Sequence, residues 1–232
     1  MQCVAKISTK KDTTIQFAVT QDEWKYKWEK PTLVYDVIGT CRTMDDHSVK
    51  TAINYATEAW EVESGIKCVS GWGNANADVR IDFRNSEQDE LFKKEAGVLA
   101  YAYFPQTSKQ GRMVFNNDYI WSNLGASIPA KIAVEKGWIE KAANPNSSIK
   151  TYSIVAVLTH ELGHMLGLTH DVSGNSDGVD VMDPYYSGVS RLELSDRDIA
   201  RIHAKYGDRV YKNKGDYERL KNALKLAKLR LK

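Results

Sequence analysis

Apolar residues along the chain change period several times, and each change marks an element. Near the N-terminus Val4, Ile7, Ile15, Phe17 and Val19 alternate with polar residues, which predicts short strands joined by a Lys/Asp turn. Gln21–Lys30, rich in Trp, Tyr and Lys, reads as a surface arm. Thr32–Ile38 is a β-type run ended by Gly39. From Asp45 or Asp46 to about Glu63, Val49, Ala52, Ile53, Ala56, Ala59 and Trp60 recur at three and four residues. This predicts a capped amphipathic helix stopped by Gly65. Ile66–Val69, Asp78–Phe83, Gly97–Phe104 and Arg112–Phe115 read as further strands. The Asn- and Gly-containing stretch Asn116–Asn146 predicts loop, with a helical turn near Ala130–Glu135. A strong helical pattern starts after Ser148 and runs through Ile154, Leu158, Leu162 and Met165 to Gly167. A polar loop follows from Asp171 to Asp180. Helices are then predicted from Ser195 to Tyr206 and from Tyr217 to Lys232.

The 232 residues suffice for one large domain or two lobes around a cleft. A net charge of +2 gives no reason to expect a specific nucleic-acid partner, but the charge is uneven. Residues 211–232 hold eight Lys/Arg against two Asp/Glu, with Tyr217, Leu220, Leu224, Ala227 and Leu231 at helical spacing. This basic amphipathic tail suits a protein partner, an anionic surface or packing on the body. Cys3, Cys41 and Cys68 are too few and too widely spaced for a disulfide framework or a C-x-x-C metal site, and free thiols are the simpler reading. No stretch of the numbered sequence reads as a signal peptide or a membrane span.

The chemistry is concentrated in His160-Glu161-Leu162-Gly163-His164-Met165-Leu166-Gly167-Leu168-Thr169-His170. Histidines at i and i+4 leave one helix face about 6 Å apart, within reach of one cation. Gly167 permits the turn that brings His170 back as a third ligand. Three imidazoles leave the fourth position of a tetrahedral zinc open, which is the arrangement of a catalytic site. Glu161 is surplus to coordination and suits a general base acting on water. His47 and His203 lie on other predicted helices and read as structural.

The motif H-E-x-x-H-x-x-G-x-x-H resembles that of the metzincin clan of zinc metalloproteases, with Met182 of Val181-Met182-Asp183-Pro184 in the place of the clan's methionine turn. Within the clan the chain is similar to the matrixins over Pro31–Gly207. The resemblance implies an α+β fold: a twisted, mostly parallel sheet with two helices in an upper lobe, and a small C-terminal lobe with a helix. Residues 1–30 become an N-terminal extension, 31–207 the catalytic domain and 208–232 the basic tail. It also implies that Leu99 and Ala100, on the upper-rim strand, pair with an extended protein or peptide substrate, and that Pro184 and Tyr186 wall its S1′ pocket. It implies endopeptidase activity with one catalytic zinc, in a secreted protein or as part of a particle or assembly. The alternative is a structural or binding component that retains a metzincin body.

Departures from the matrixin pattern qualify this. Tyr101 and Val114 stand where matrixins place histidines for a second, structural zinc, so that zinc is expected to be missing. Calcium is doubtful for the same reason. Asn116, Asn117 and Asp118 leave a weak opening for it, whereas Asp171, Asn175, Asp177 and Asp180 read as a solvated loop, since their spacing fits no calcium signature.

Overall fold

The structure is a computed structural model and describes residues 2–7, 25–171, 180–188, 192–207, 214–229 and 231. The expectations for strands at Ile15–Val19, for Asn175 and Asp177, and for residues 208–213 lie outside the described residues. The elements are β1 (Gln2–Ile7), β2 (Thr32–Val37), α1 (Asp46–Glu63), β3 (Lys67–Ser70), β4 (Val79–Arg84), α2 (Glu90–Lys94), β5 (Val98–Tyr103) and β6 (Arg112–Asn116). Two-residue strands β7 (Trp121–Ser122), β8 (Ile128–Pro129), β9 (Ser148–Ile149) and β10 (Tyr152–Ser153) surround α3 (Ala130–Glu135). Then come α4 (Ile154–Met165), β11 (Tyr185–Tyr186), α5 (Asp196–Tyr206) and α6 (Lys214–Leu229).

The main sheet runs β11-β1-β5-β6-β4-β2-β3. Its β1–β11, β2–β3, β2–β4 and β4–β6 pairs are parallel, while β5 is antiparallel to both β1 and β6. This is the mostly parallel mixed sheet of the expected α+β fold. Helices α1 and α4 pack on each other against the sheet, and their apolar faces merge with it in one core containing Trp60, Ile53, Ile81, Leu158 and Leu162. The indole Nε1–H of Trp60 donates to Thr159 O at 2.8 Å, tying α1 to the turn of α4 that carries the motif.

Most boundaries follow local chemistry. Asp45 caps α1 by accepting from Ser48 N–H at 2.7 Å, and Ser195 with Asp198 forms a capping box on α5. Helix α4 starts later than its apolar pattern suggests. Ser148–Ile149 and Tyr152–Ser153 are drawn into short strand pairs, and the Ser153 hydroxyl then caps the helix through Ala156 N–H. Residues 86–95, for which the pattern predicts no element, contain α2, capped by Asp89. The short amphipathic run Glu90–Lys94 has too few turns to announce itself by period.

The reading of Gln21–Lys30 as a surface arm is corrected for its described part. Tyr26 and Trp28 are buried. The Tyr26 ring stacks on Phe104 at 4.8 Å between centroids, and Trp28 Nε1–H donates to Met165 O at 2.9 Å. The last carbonyls of a helix lack intrahelical donors. Trp28 supplies one for α4, and the Tyr206 hydroxyl supplies another to Leu166 O at 2.9 Å. The tail helix α6 packs on α1, with Leu224 and Ala227 against the core. Among the described residues no helix is long and apolar enough to cross a membrane.

Candidate active site

Helix α4 is buried along its whole length, including His160, Glu161 and His164. The chain leaves it through Gly167, whose φ of +91° places it in the left-handed region. Glycine is needed there for a second reason, since a Cβ would lie 1.8 Å from Tyr26 O. Leu168 N–H donates back to Gly163 O at 2.9 Å, and the reversed chain delivers His170.

The three histidines converge, each offering a ring nitrogen, with all three atoms within 4.8 Å of one another. Nε2 of His160 lies 2.9 Å from Nε2 of His164 and 3.2 Å from Nε2 of His170. The His160–His164 contact is a meeting of two lone pairs, as the Nδ1 partners of these two rings show. Nδ1–H of His160 donates to Val181 O at 2.6 Å, and Nδ1–H of His164 donates to Leu168 O at 2.7 Å. Carbonyls only accept, so both Nδ1 atoms carry the proton and both Nε2 atoms present lone pairs. Ligands at ~2.05 Å from a tetrahedral zinc would be separated by ~3.3 Å, close to the spacing found. Burial, and then the neighbouring His160, hold His164 and His170 well below the usual histidine range, which keeps them neutral as ligands must be. The donor set, its tautomers and its spacing therefore fit one zinc ion.

Against Gly163, between the two helical histidines, Met182 is wholly buried. Its turn is held by Asp198 of α5, whose carboxylate accepts from Val181 N–H at 2.8 Å and Met182 N–H at 3.3 Å. The same carboxylate closes the α5 capping box. The box was readable from Ser195-x-x-Asp198, but its second role depends on a chain segment 16 residues upstream and was missed. Arg197 pairs with Asp171 at 3.2 Å and Asp180 at 3.4 Å, so these two carboxylates already face a cation. Asn116, Asn117 and Asp118 are likewise engaged: their side-chain oxygens accept from Asp118, Arg42 and Ser86 N–H.

Pro184 and Tyr186 line a pocket with Ala156, Val157 and His160, where the matrixin resemblance placed a specificity pocket. The Tyr186 hydroxyl accepts from Ser153 N–H at 2.8 Å, which fixes this wall to the start of α4. Leu99 and Ala100 lie on β5 and are fully buried. Ala100 pairs with Ala5 of β1, and Leu99 falls at the register shift between Ala5 and Lys6. At the positions compared with a second zinc site, Tyr101 and Val114 pack with Phe92 and Val98 in a separate apolar cluster. The Tyr101 hydroxyl donates to Asp89 Oδ2 at 2.6 Å. His47 is exposed on α1, and His203 faces Glu63 at 3.7 Å. Cys41 and Cys68 are free.

A mixed sheet packed on a helix bearing two histidines, a third histidine beyond a glycine turn and a buried methionine turn held against that helix define a metzincin. The family model described as Matrixin matches residues 27–207, and the chain belongs to the matrixin family. It is 27% identical to matrix metalloproteinase-26 of Homo sapiens over 185 residues, 79% of this chain and 60% of that protein. It is 24% identical to karilysin of Tannerella forsythia over 186 residues, and 28% identical to neutrophil collagenase of Homo sapiens over 185 residues. Each of these two matches covers 78% of this chain but 33% of the relative. The chain thus spans between a third and three fifths of these relatives.

Proposed function

We propose that the chain is a zinc-dependent endopeptidase in which His160, His164 and His170 hold the metal and Glu161 is the general base. The observation that carries this reading is the convergence of three buried imidazole nitrogens within 4.8 Å of one another, with a fully buried Glu161 next in sequence to the first of them. The ion would supply a Lewis acid for the scissile carbonyl and for the attacking water.

The protein's own groups do the rest. Hydrogen bonds from His160 to Val181 O and from His164 to Leu168 O orient the imidazoles and fix their tautomers. Glu161 takes a proton from the attacking water and returns it to the leaving amine, as a buried carboxylate with access to both can do. Met182 forms the apolar floor. Pro184 and Tyr186 receive the side chain that follows the scissile bond, and the backbone of Leu99 and Ala100 pairs with an extended protein or peptide substrate. Residues 31–207 form the catalytic unit in this reading, with residues 1–30 preceding it and 208–232 as a basic tail whose helix α6 packs on α1. The matrixin likeness favours an extracellular setting.

The test is digestion of a peptide library by the zinc-loaded chain, beside Glu161→Gln and beside the wild type with a chelator. Cleavage by the wild type that falls at least ~10²-fold in Glu161→Gln, with zinc content unchanged, is expected. Equal cleavage by both would remove Glu161 from the mechanism. Absence of cleavage in a zinc-loaded wild type would favour a structural or binding role.

A further inference from the structure

Strand β1 lies between two edges that the protease reading needs for substrate. On one side it pairs antiparallel with β5 from Gln2↔Tyr103 to Lys6↔Val98. On the other it pairs parallel with β11 through Lys6↔Tyr185 and Ile7↔Tyr186. Among the described residues, the strand order β11-β1-β5 means that β11 joins the main sheet through β1 alone. Without β1, β5 would be an edge strand with a row of unpaired backbone groups facing the groove.

Three further observations agree. Val98, Leu99, Ala100 and Ala102 are 0% exposed and Tyr101 is 3% exposed, so the rim strand has no open face. Strand β1 also packs against α4, the helix that carries His160 and His164. Its register on β5 shifts at Ala5/Lys6, and Lys6 is paired on both sides, with Val98 of β5 and Tyr185 of β11, beside the pocket that Tyr186 and His160 share.

We propose that Gln2–Ile7 is the chain's own occupant of the substrate groove, and that a peptide substrate must displace β1 before it can be cut. The proposal rests on the protease reading for the meaning of the groove, though not for its occupancy. An extended peptide gains affinity at a sheet edge by making main-chain hydrogen bonds there. Strand β1 makes those bonds already and is tethered, at an effective concentration on the order of millimolar. Apparent substrate affinity then falls by the fraction of molecules whose groove is open. The occupant is recognised largely through its backbone, so segments of other extended sequence should compete for the same place.

The test uses the full chain and the double variant Val4→Pro/Ala5→Pro. Alternate residues of a strand point their N–H groups to opposite sides, so one of the two prolines removes a donor to β5 whichever phase holds. With zinc bound, kcat/KM on a fluorogenic peptide is expected to rise ~10-fold or more in the variant, mainly through KM. Separately, both forms are placed in a Glu161→Gln background and titrated with a fluorescein-labelled hexapeptide of residues 2–7, read by anisotropy. The hexapeptide should bind the double-proline form at least ~10-fold more tightly than the form with β1 intact. Equal binding to both overturns the proposal, even if neither form cleaves anything and the protease reading has failed on its own. Hydrogen exchange on the unsubstituted chain covers the case of a variant that does not fold. Protection of amides within residues 2–7 is required, and exchange there at unfolded rates overturns the proposal.

Discussion

Gly163 lies directly against Met182. A Cβ on Gly163 would stand 2.2 Å from Met182 Sδ and 2.9 Å from Trp60 Cζ2. The glycine between the two helical histidines is therefore where α4 makes room for the methionine turn. Gly163→Ala would gain about 1 kcal/mol of helix propensity, but overpacking a filled core costs about 1–3 kcal/mol. Because Met182 and Trp60 are both fully enclosed, the net change should be destabilising, with zinc affinity reduced as His160 and His164 shift apart. Thermal denaturation and zinc titration check this; a Tm at or above that of the parent would refute it.

Asp198 couples α5 to the metal-side turn through Val181 and Met182 N–H while capping its own helix. Asp198→Ala leaves buried donors unsatisfied and removes a cap. The expected loss is about 2–4 kcal/mol. Asp198→Asn keeps one acceptor oxygen and should recover part of it. Chemical denaturation of the three proteins measures the series, and equal stability of all three would show that the turn does not depend on this carboxylate.

His164 and His170 also set an acid limit. Burial holds His164 and His170 well below the usual range in the folded chain, while the unfolded chain protonates them near pH 6.5. Below that pH the unfolded state binds more protons, so stability is full above about 6.5 and is lost as pH falls toward the depressed folded values. Each histidine can remove up to about 1.4 kcal/mol per pH unit in that window. The chelated protein should lose Tm steadily from pH 7 to 5, and the zinc-loaded protein should resist until the metal leaves. A flat Tm over that range for the chelated form would contradict the burial of His164 and His170 in neutral form.

The triad was legible because its spacing is covalent. An i, i+4 pair on a helix and a glycine three residues beyond it leave little freedom. The capped boundaries of α1 and α5 were legible for the same local reason. Tyr26 and Trp28 misled because aromatic and lysine residues side by side look like surface, whereas their partners, Phe104 and Met165, lie far along the chain. The alternation of β1 suggested a strand but could not name its neighbours, because edge pairing is decided by which edges the rest of the sheet leaves open. The substitution of Tyr101 and Val114 for histidines was readable, but the apolar cluster that replaces them depends on Phe92 of an unforeseen helix.

That cluster carries a prediction of its own. Phe92, Val98, Tyr101 and Val114 offer no nitrogen or thiolate ligand, and burial together with Asp89 keeps the Tyr101 phenol protonated. Metal analysis should find one zinc per chain. Tyr101→Phe should cost about 1–2 kcal/mol, because Asp89 loses its phenolic donor while keeping Leu91 N–H. A second tightly held zinc, or no stability change in Tyr101→Phe, would contradict this account.

Glu63 ends α1, where a negative charge opposes the helix dipole. It is 7% exposed and is compensated from α6: the Tyr217 hydroxyl donates to it at 3.2 Å and Lys221 Nζ lies at 3.5 Å, while His203 Nε2 of α5 lies 3.7 Å away. Hydrogen bonding to Tyr217, together with the charge of Glu63, raises the Lys221 pKa above the ordinary lysine value. The basic tail is thus docked by an acidic residue of the body, and its Leu224 and Ala227 already face the core. Glu63→Ala should free this end of α6 at a cost of about 1–2 kcal/mol, moderated because Lys221 is partly solvated. Exchange of amides in Lys214–Leu229 should accelerate, and added salt should accelerate it less than in the parent, since the variant has lost the charge being screened. Zinc content should not change, because α6 supplies no ligand. Unchanged exchange in Glu63→Ala would mean that the apolar stripe alone holds the tail.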